Sequence, residues 1–269
     1  MTSWLQYSIP FLYTLQSRLQ PFQDRVSWLL IQIVPQAILV ALLVDELTGA
    51  TVVVFGLAVV AWQALYEIGY LENDVITFRR EVNPTERIGA RERQAVEAAW
   101  SVIVAVRVLV GSAIYLLAAH LAHAYAVPLN HAAFLAAISA MAIAFLAHNR
   151  IRNQLNVISY FVLSSARYSA VPLLLVPAAA VPTALLISVL MLPLPRTFEH
   201  ASKKKYRLRI PQRVTANTHL FRVLYYGALT CMALATSAGT LAIIASYFLV
   251  YRGLVLVAIK SGLITPTHA

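Results

Sequence analysis

The stretch Tyr66-Glu67-Ile68-Gly69-Tyr70-Leu71-Glu72-Asn73-Asp74-Val75-Ile76-Thr77-Phe78-Arg79-Arg80-Glu81 carries most of the residues able to do chemistry. Seven of the eleven acidic residues lie between Glu67 and Glu97, directly after an apolar run. A carboxylate there is costly to bury unless it is paired, hydrated or bound to a metal. On a continuing helix Glu67, Asp74, Thr77 and Glu81 follow one another at spacings of seven, three and four and share one face. With Asn73 at its edge, that stripe offers carboxylate, amide and hydroxyl oxygens to one point. Such a donor set suits magnesium, which keeps several waters and takes its other ligands from phosphate. Glu67, Asp74 and Glu81 are the carboxylates this stripe offers. Thr77 would position a ligand by hydrogen bonding, and Arg79, Arg80 and Arg87 supply forked donors for phosphate oxygens. Pro84 ends the helix. The plainer alternative is a solvated loop whose charges pair with one another.

A second charged segment runs Arg196-Thr197-Phe198-Glu199-His200-Ala201-Ser202-Lys203-Lys204-Lys205-Tyr206-Arg207. Glu199 and Lys203 stand four apart, the spacing of a helical ion pair; a basic loop that only sets membrane orientation is the alternative. A third polar cluster, His148-Asn149-Arg150 with Arg152, Asn153 and Asn156, has groups able to touch a phosphate or ribose hydroxyls. Arg107, Arg222 and Arg252 fall inside apolar runs. Arg107 either pairs with an inward carboxylate such as Glu67 or faces an acceptor phosphate.

The elements that must position these groups are membrane helices. The 269 residues are 60% hydrophobic and only 12% charged, about half the charge of a soluble domain. The apolar blocks reach the roughly 20 residues that a helix needs to cross a bilayer, and the short alternating pattern of a strand barrel is absent. Eight spans are predicted, at 27–45, 50–71, 94–119, 130–148, 154–171, 173–194, 217–235 and 238–258, in a single polytopic domain covering 1–269. Residues 1–24 read as an amphipathic segment at the membrane surface; 72–93 and 195–216 read as the active-site loops. No basic start, apolar stretch and small-residue cleavage site opens the chain, so no cleaved signal peptide is expected. Every loop after an even-numbered span is basic, whereas 44–50, 120–131 and 236–239 carry no Lys or Arg. By the positive-inside rule both termini and all charged loops are cytoplasmic. Arg167 alone is on the wrong side, near a helix end from which it would snorkel. The formal charge of +10 then reflects topology and anionic lipid or phosphate ligands. No RNA- or DNA-binding motif accompanies it, so no nucleic-acid partner is expected, and nothing sets an oligomeric state.

The segment Asn73-Asp74-Val75-Ile76-Thr77-Phe78-Arg79-Arg80-Glu81 resembles the first aspartate-rich motif of the UbiA superfamily of membrane transferases, N-D-x-x-D-x-x-x-D, at the end of span two where that family carries it. Pro84-Thr85-Glu86-Arg87 resembles the family's continuation. Thr77 and Glu81 stand where the family has its second and third aspartates, and Lys203 replaces an acid of a second motif, D-x-x-x-D, that begins at Glu199. The departures resemble the branch that moves phosphoribosyl from phosphoribosyl diphosphate to a polyprenyl phosphate. The resemblance implies an all-α bundle around a cavity open to lipid, in a bacterial inner (plasma) membrane. It implies a magnesium-held donor diphosphate on Asn73, Asp74 and Glu81, with Thr77, Arg79, Arg80, Arg87, Asn149 and Arg150 as further donor contacts. Arg196, Glu199 and Lys203 would close the site, and Asp74, Glu81 and Glu199 would be its catalytic carboxylates. The expected partners are a phosphorylated small-molecule donor and a polyprenyl phosphate or other lipid. A prenyltransferase using an isoprenyl diphosphate and an aromatic or small acceptor is the second reading, and a non-catalytic membrane scaffold the third.

Overall fold

A computed structural model describes residues 4–19, 22–78 and 86–263. Arg79, Arg80, Glu81 and Pro84 lie outside the described residues, as do Gln20 and Pro21. Among the described residues every regular element is helical. After a short turn at Trp4–Ser8 come α1 (Leu12–Ser17), α2 (Phe22–Leu43), α3 (Gly49–Ile76), α4 (Ala90–Ala98) and α5 (Trp100–Ala124). There follow α6 (His131–Arg150), α7 (Leu155–Leu175), α8 (Ala178–Ala201), α9 (Arg209–Val214), α10 (Thr218–Ala235) and α11 (Gly239–Lys260). Seven of these are long and apolar enough to cross a membrane: α2, α3, α5, α6, α7, α8 and α11. The chain is thus an all-helical, multi-pass membrane protein. A helix, α10, occupies the seventh predicted span, 18 residues packed against α11, but it is not one of the seven, because His219 and Arg222 in its first turns dilute its hydropathy.

Local chemistry explains where the helices start and bend. Thr48 caps α3, and Asn130 and Asn217 cap α6 and α10, each side chain accepting a free backbone N–H of the first turn. Pro35 has no N–H and crowds the preceding turn, and α2 widens into a π turn at Leu29–Ile33 just before it. Pro193 and Pro195 break α8 at Leu192, but the helix resumes through Ala201 instead of ending as predicted. Two carbonyls beside this break accept from α10: Tyr225 Oη donates to Leu190 O at 2.7 Å, and Tyr226 Oη donates to Met191 O. Gly69 lets α6 approach α3, because a Cβ there would lie 2.3 Å from the Phe145 ring.

The N-terminal segment packs against the bundle: Tyr7, Ser8, Tyr13 and Thr14 are buried. The cause is the Glu67–Arg107 pair, 2.8 Å apart with both side chains 0% exposed. Glu67 accepts the backbone N–H of Phe11 at 3.1 Å and of Thr14 at 2.8 Å. Arg107 donates to the carbonyls of Tyr7 at 2.6 Å and Ile9 at 3.3 Å. The pair therefore supplies hydrogen-bond partners to the irregular backbone before α1, which in an apolar bundle has no other source. It also holds Phe11 at a φ of 67°, a left-handed conformation that is costly for an aromatic residue.

Glu67→Gln leaves the Arg107 guanidinium buried without its counter-ion. It should destabilise the detergent-solubilised protein by about 3–5 kcal/mol and expose the N-terminal segment to limited proteolysis. An unchanged melting temperature with an intact N-terminus would remove this pair from its anchoring role.

Candidate functional site

One chamber of about 790 Å³ opens among α2, α3, α6, α7 and α8 at the basic end of the bundle. Its walls carry seven cationic side chains: Arg18, Arg87, Arg152, Arg167, Arg196, Lys203 and Lys205. Asp24 is the one carboxylate among the described lining residues. Between the cations stand aromatic faces, Trp28, Tyr66, Tyr70, Phe145 and Tyr160 among them.

The break in α8 aims one part of this lining. Arg196 and His200, four residues apart, share the face turned to the chamber. Glu199 points away, held by Arg222 through two bonds of 2.6 and 2.7 Å and lying 3.7 Å from Arg196. Glu199 thus anchors α8 to α10 and is absent from the chamber lining, so its expected catalytic role has no support in the geometry.

The first charged segment also resolves differently from a stripe of metal ligands. Glu67 and Asp74 do share a face, but the N-terminal segment covers it. Asp74, 3% exposed, accepts four hydrogen bonds from described residues. Oδ2 receives Tyr13 Oη at 2.5 Å and Arg18 Nη2 at 2.6 Å; Oδ1 receives Asn73 Nδ2 at 3.0 Å and Arg87 Nη1 at 3.1 Å. Burial and the Asp74 charge push the Tyr13 phenol well up, so it remains a donor. Burial pulls the Arg18 guanidinium down, but Asp74 and the neighbouring phenols outweigh this and raise it. Thr77 is buried and turned back on Asn73. Of the expected magnesium ligands Asn73, Asp74 and Glu81, Asp74 leaves no oxygen free for the ion, and Glu81 lies outside the described residues. A carboxylate has about four lone-pair sites; all four of Asp74's are in use, two by guanidinium groups. No group of three or more His, Cys, Asp or Glu side chains able to hold a metal occurs among the described residues.

Of the sequence-predicted residues, the chamber brings together Asn73, Arg87, Asn149, Arg196 and Lys203. Arg150 is outside it, paired with Glu72 at 3.1 Å, while Asn149 reaches Glu72 at 3.1 Å and Gly69 O at 3.2 Å. The sequence reading missed Arg18 and misplaced Arg167. Arg167 does not snorkel to the opposite face. It sits twelve residues into α7, roughly 18 Å along the axis. It donates to Tyr70 Oη at 2.7 Å, lies 4.9 Å from the Tyr66 ring centre, and forms no ion pair among the described residues. The missed signal was in view: an ionisable residue inside a membrane helix marks a functional site by default.

A polar network builds the wall opposite α3. Asn156 Nδ2 donates to His148 O at 2.9 Å and Ile151 O at 2.8 Å, which orients its Oδ1 toward His200 Nε2 at 2.9 Å and Tyr206 Oη at 2.5 Å. The Tyr160 ring stacks on His200 at 4.0 Å and 1°. His200 is thereby fixed through Nε2.

Burial raises the Tyr206 phenol from its ordinary value near 10 to about 12. The folded state therefore keeps that proton to higher pH than the unfolded chain. The stabilisation is whole below about pH 10 and is lost as pH rises toward about 12. Thermal unfolding of Tyr206→Phe followed from about pH 9 to 12 should fall less steeply than that of the native protein; equal slopes would remove the buried phenol from the network. Compared with protein-family models, curated proteins and solved structures, the chain has no match.

Proposed function

We propose that the protein is an integral membrane transferase that binds a diphosphate-bearing donor in the cationic chamber and passes the donor's organic group to a lipid acceptor. In the preferred form the group is phosphoribosyl, from phosphoribosyl diphosphate, and the acceptor is a polyprenyl phosphate. The carrying observation is Arg167, a cation well inside a membrane helix with phenols but, among the described residues, no carboxylate beside it. Placing a charge there costs at least ~2.5–3.5 kcal/mol, and an anionic ligand repays that cost. Among the described residues, seven lining cations against one lining carboxylate favour two phosphorylated substrates over one, since each phosphate monoester brings about −1.5 to −2 at neutral pH.

In this reading a lipid phosphate oxygen attacks the anomeric carbon and forms the new C–O bond. The bond from that carbon to the donor diphosphate breaks, and its electron pair leaves with the diphosphate. The acceptor oxygen is already ionised, so no strong base is needed. The guanidinium and ammonium groups lower the energy of the charge that builds on the leaving group, and the apolar walls make each contact stronger than in water. Basic residues crowd the chamber end of the bundle, so the positive-inside rule makes that end cytoplasmic. α10 then serves as an eighth span, with both termini cytoplasmic in a bacterial plasma membrane. One observation favours a second reading, in which an isoprenyl diphosphate is the donor. The aromatic faces of Trp28, Tyr66, Tyr70 and Tyr160 in the same chamber suit a developing allylic cation.

Purified protein should move label from phosphoribosyl diphosphate into lipid extract when given polyprenyl phosphate. Turnover of isoprenyl diphosphate instead would select the second reading, and neither turnover nor binding of either donor would leave a scaffold. Arg167→Gln should weaken donor binding by at least about tenfold, some 1.4 kcal/mol. It should leave the melting temperature unchanged or higher, because it removes a half-buried charge with no carboxylate partner among the described residues.

A further inference from the structure

We propose that Asp74 is a positioning residue: it holds Arg18 and Arg87 as a guanidinium pair on the chamber wall, and the pair grips a diphosphate without a divalent cation. This rests on the reading of the chamber as a diphosphate site.

The two arginines reach Asp74 from segments far apart in sequence. Arg18 follows α1, and Arg87 precedes α4. Each spends one Nη on the carboxylate, at 2.6 and 3.1 Å, and both line the chamber. A guanidinium has five N–H donors in a fixed fork, so one bond to Asp74 sets the plane and leaves donors for phosphate oxygens. Arg18 is oriented a second time by the Tyr70 face, 3.7 Å from its Cζ, the same tyrosine whose hydroxyl accepts from Arg167. Tyr70 therefore links the Asp74 pair to the deep arginine.

A divalent cation on Asp74 would need an oxygen at about 2.0–2.1 Å. Both oxygens already carry a guanidinium contact, and the ion would enter beside two positive charges. The contact that excludes the metal also supplies the anion donors. The N-terminal segment becomes part of the binding site, because it delivers Arg18 and is itself tied down by Glu67 and Arg107.

The test is calorimetric titration of inorganic diphosphate into the purified full-length protein, with EDTA and then with magnesium. Binding in EDTA should be within about threefold of that in magnesium. Asp74→Asn removes a negative charge from a cationic chamber, so charge summation alone would tighten diphosphate binding. Positioning predicts the reverse, a loss of at least about tenfold in EDTA. Arg87→Lys should also weaken binding, and combining it with Asp74→Asn should add little, as for residues acting as one unit. Binding seen only with magnesium overturns the inference and leaves the diphosphate reading intact, as does an Asp74→Asn protein that binds as tightly as the native chain or more so. Diphosphate that binds in neither buffer overturns the reading of the chamber itself. Should Asp74→Asn fail to fold, the native protein in the two buffers and Arg87→Gln, expected to lose at least about tenfold in EDTA, decide the matter.

Discussion

The Glu67–Arg107 pair is the constraint on which the rest of the structure depends. Both side chains are fully buried, and a buried ion pair by itself is no source of stability. Its value lies in what surrounds it. Glu67 accepts from two backbone amides and Arg107 donates to backbone carbonyls of the segment between Tyr7 and Thr14. An irregular stretch can enter a helical membrane bundle only if its polar backbone is satisfied from within. Once it is anchored, Tyr13 and Arg18 reach Asp74, and the cationic end of the chamber is assembled.

The chamber itself follows from two interruptions of otherwise regular helices. Proline at 193 and 195 breaks α8 so that Arg196 and His200 face inward while Glu199 docks on Arg222. A π turn at Glu72–Ile76 closes α3, and its widened hydrogen bond runs from Thr77 N to Glu72 O. Asn73 there faces the chamber, while Asp74 faces the N-terminal segment. Single-turn widenings of this kind are frequent at functional sites. The result is a positive field in a low-dielectric enclosure, which concentrates anions more strongly than the same charges would on an open surface.

Much of the scaffold was legible. The apolar blocks located the membrane helices to within several residues, because the bilayer sets a length that composition must meet. Where the boundaries slipped, a local cause is visible. The residues at 90–98 form a separate helix ending at Ala99, so α5 begins later than predicted. α8 outlasts its prolines because α10 supplies tyrosine hydroxyls to two carbonyls beside the break. The Arg107–Glu67 pairing was one of two readings open from sequence, since a buried cation in a membrane helix needs an inward anion or an anionic ligand.

The chain's own order of residues determined the helical class, the concentration of basic residues at one end, and the shared face of Glu67 and Asp74. It did not determine what that face meets. The N-terminal partners of Glu67 and Asp74 stand 53 to 61 residues away, in a segment whose own pattern reads as surface-seeking. Spacing along a helix says which side chains point together; only the packed bundle decides whether they point at a metal, at water or at another stretch of backbone. Tertiary structure turned the acidic stripe toward the N-terminal segment and gathered cations from distant segments around one cavity. The physical reason is that a buried charge answers to everything within a few ångströms of it, and those neighbours are set by the fold.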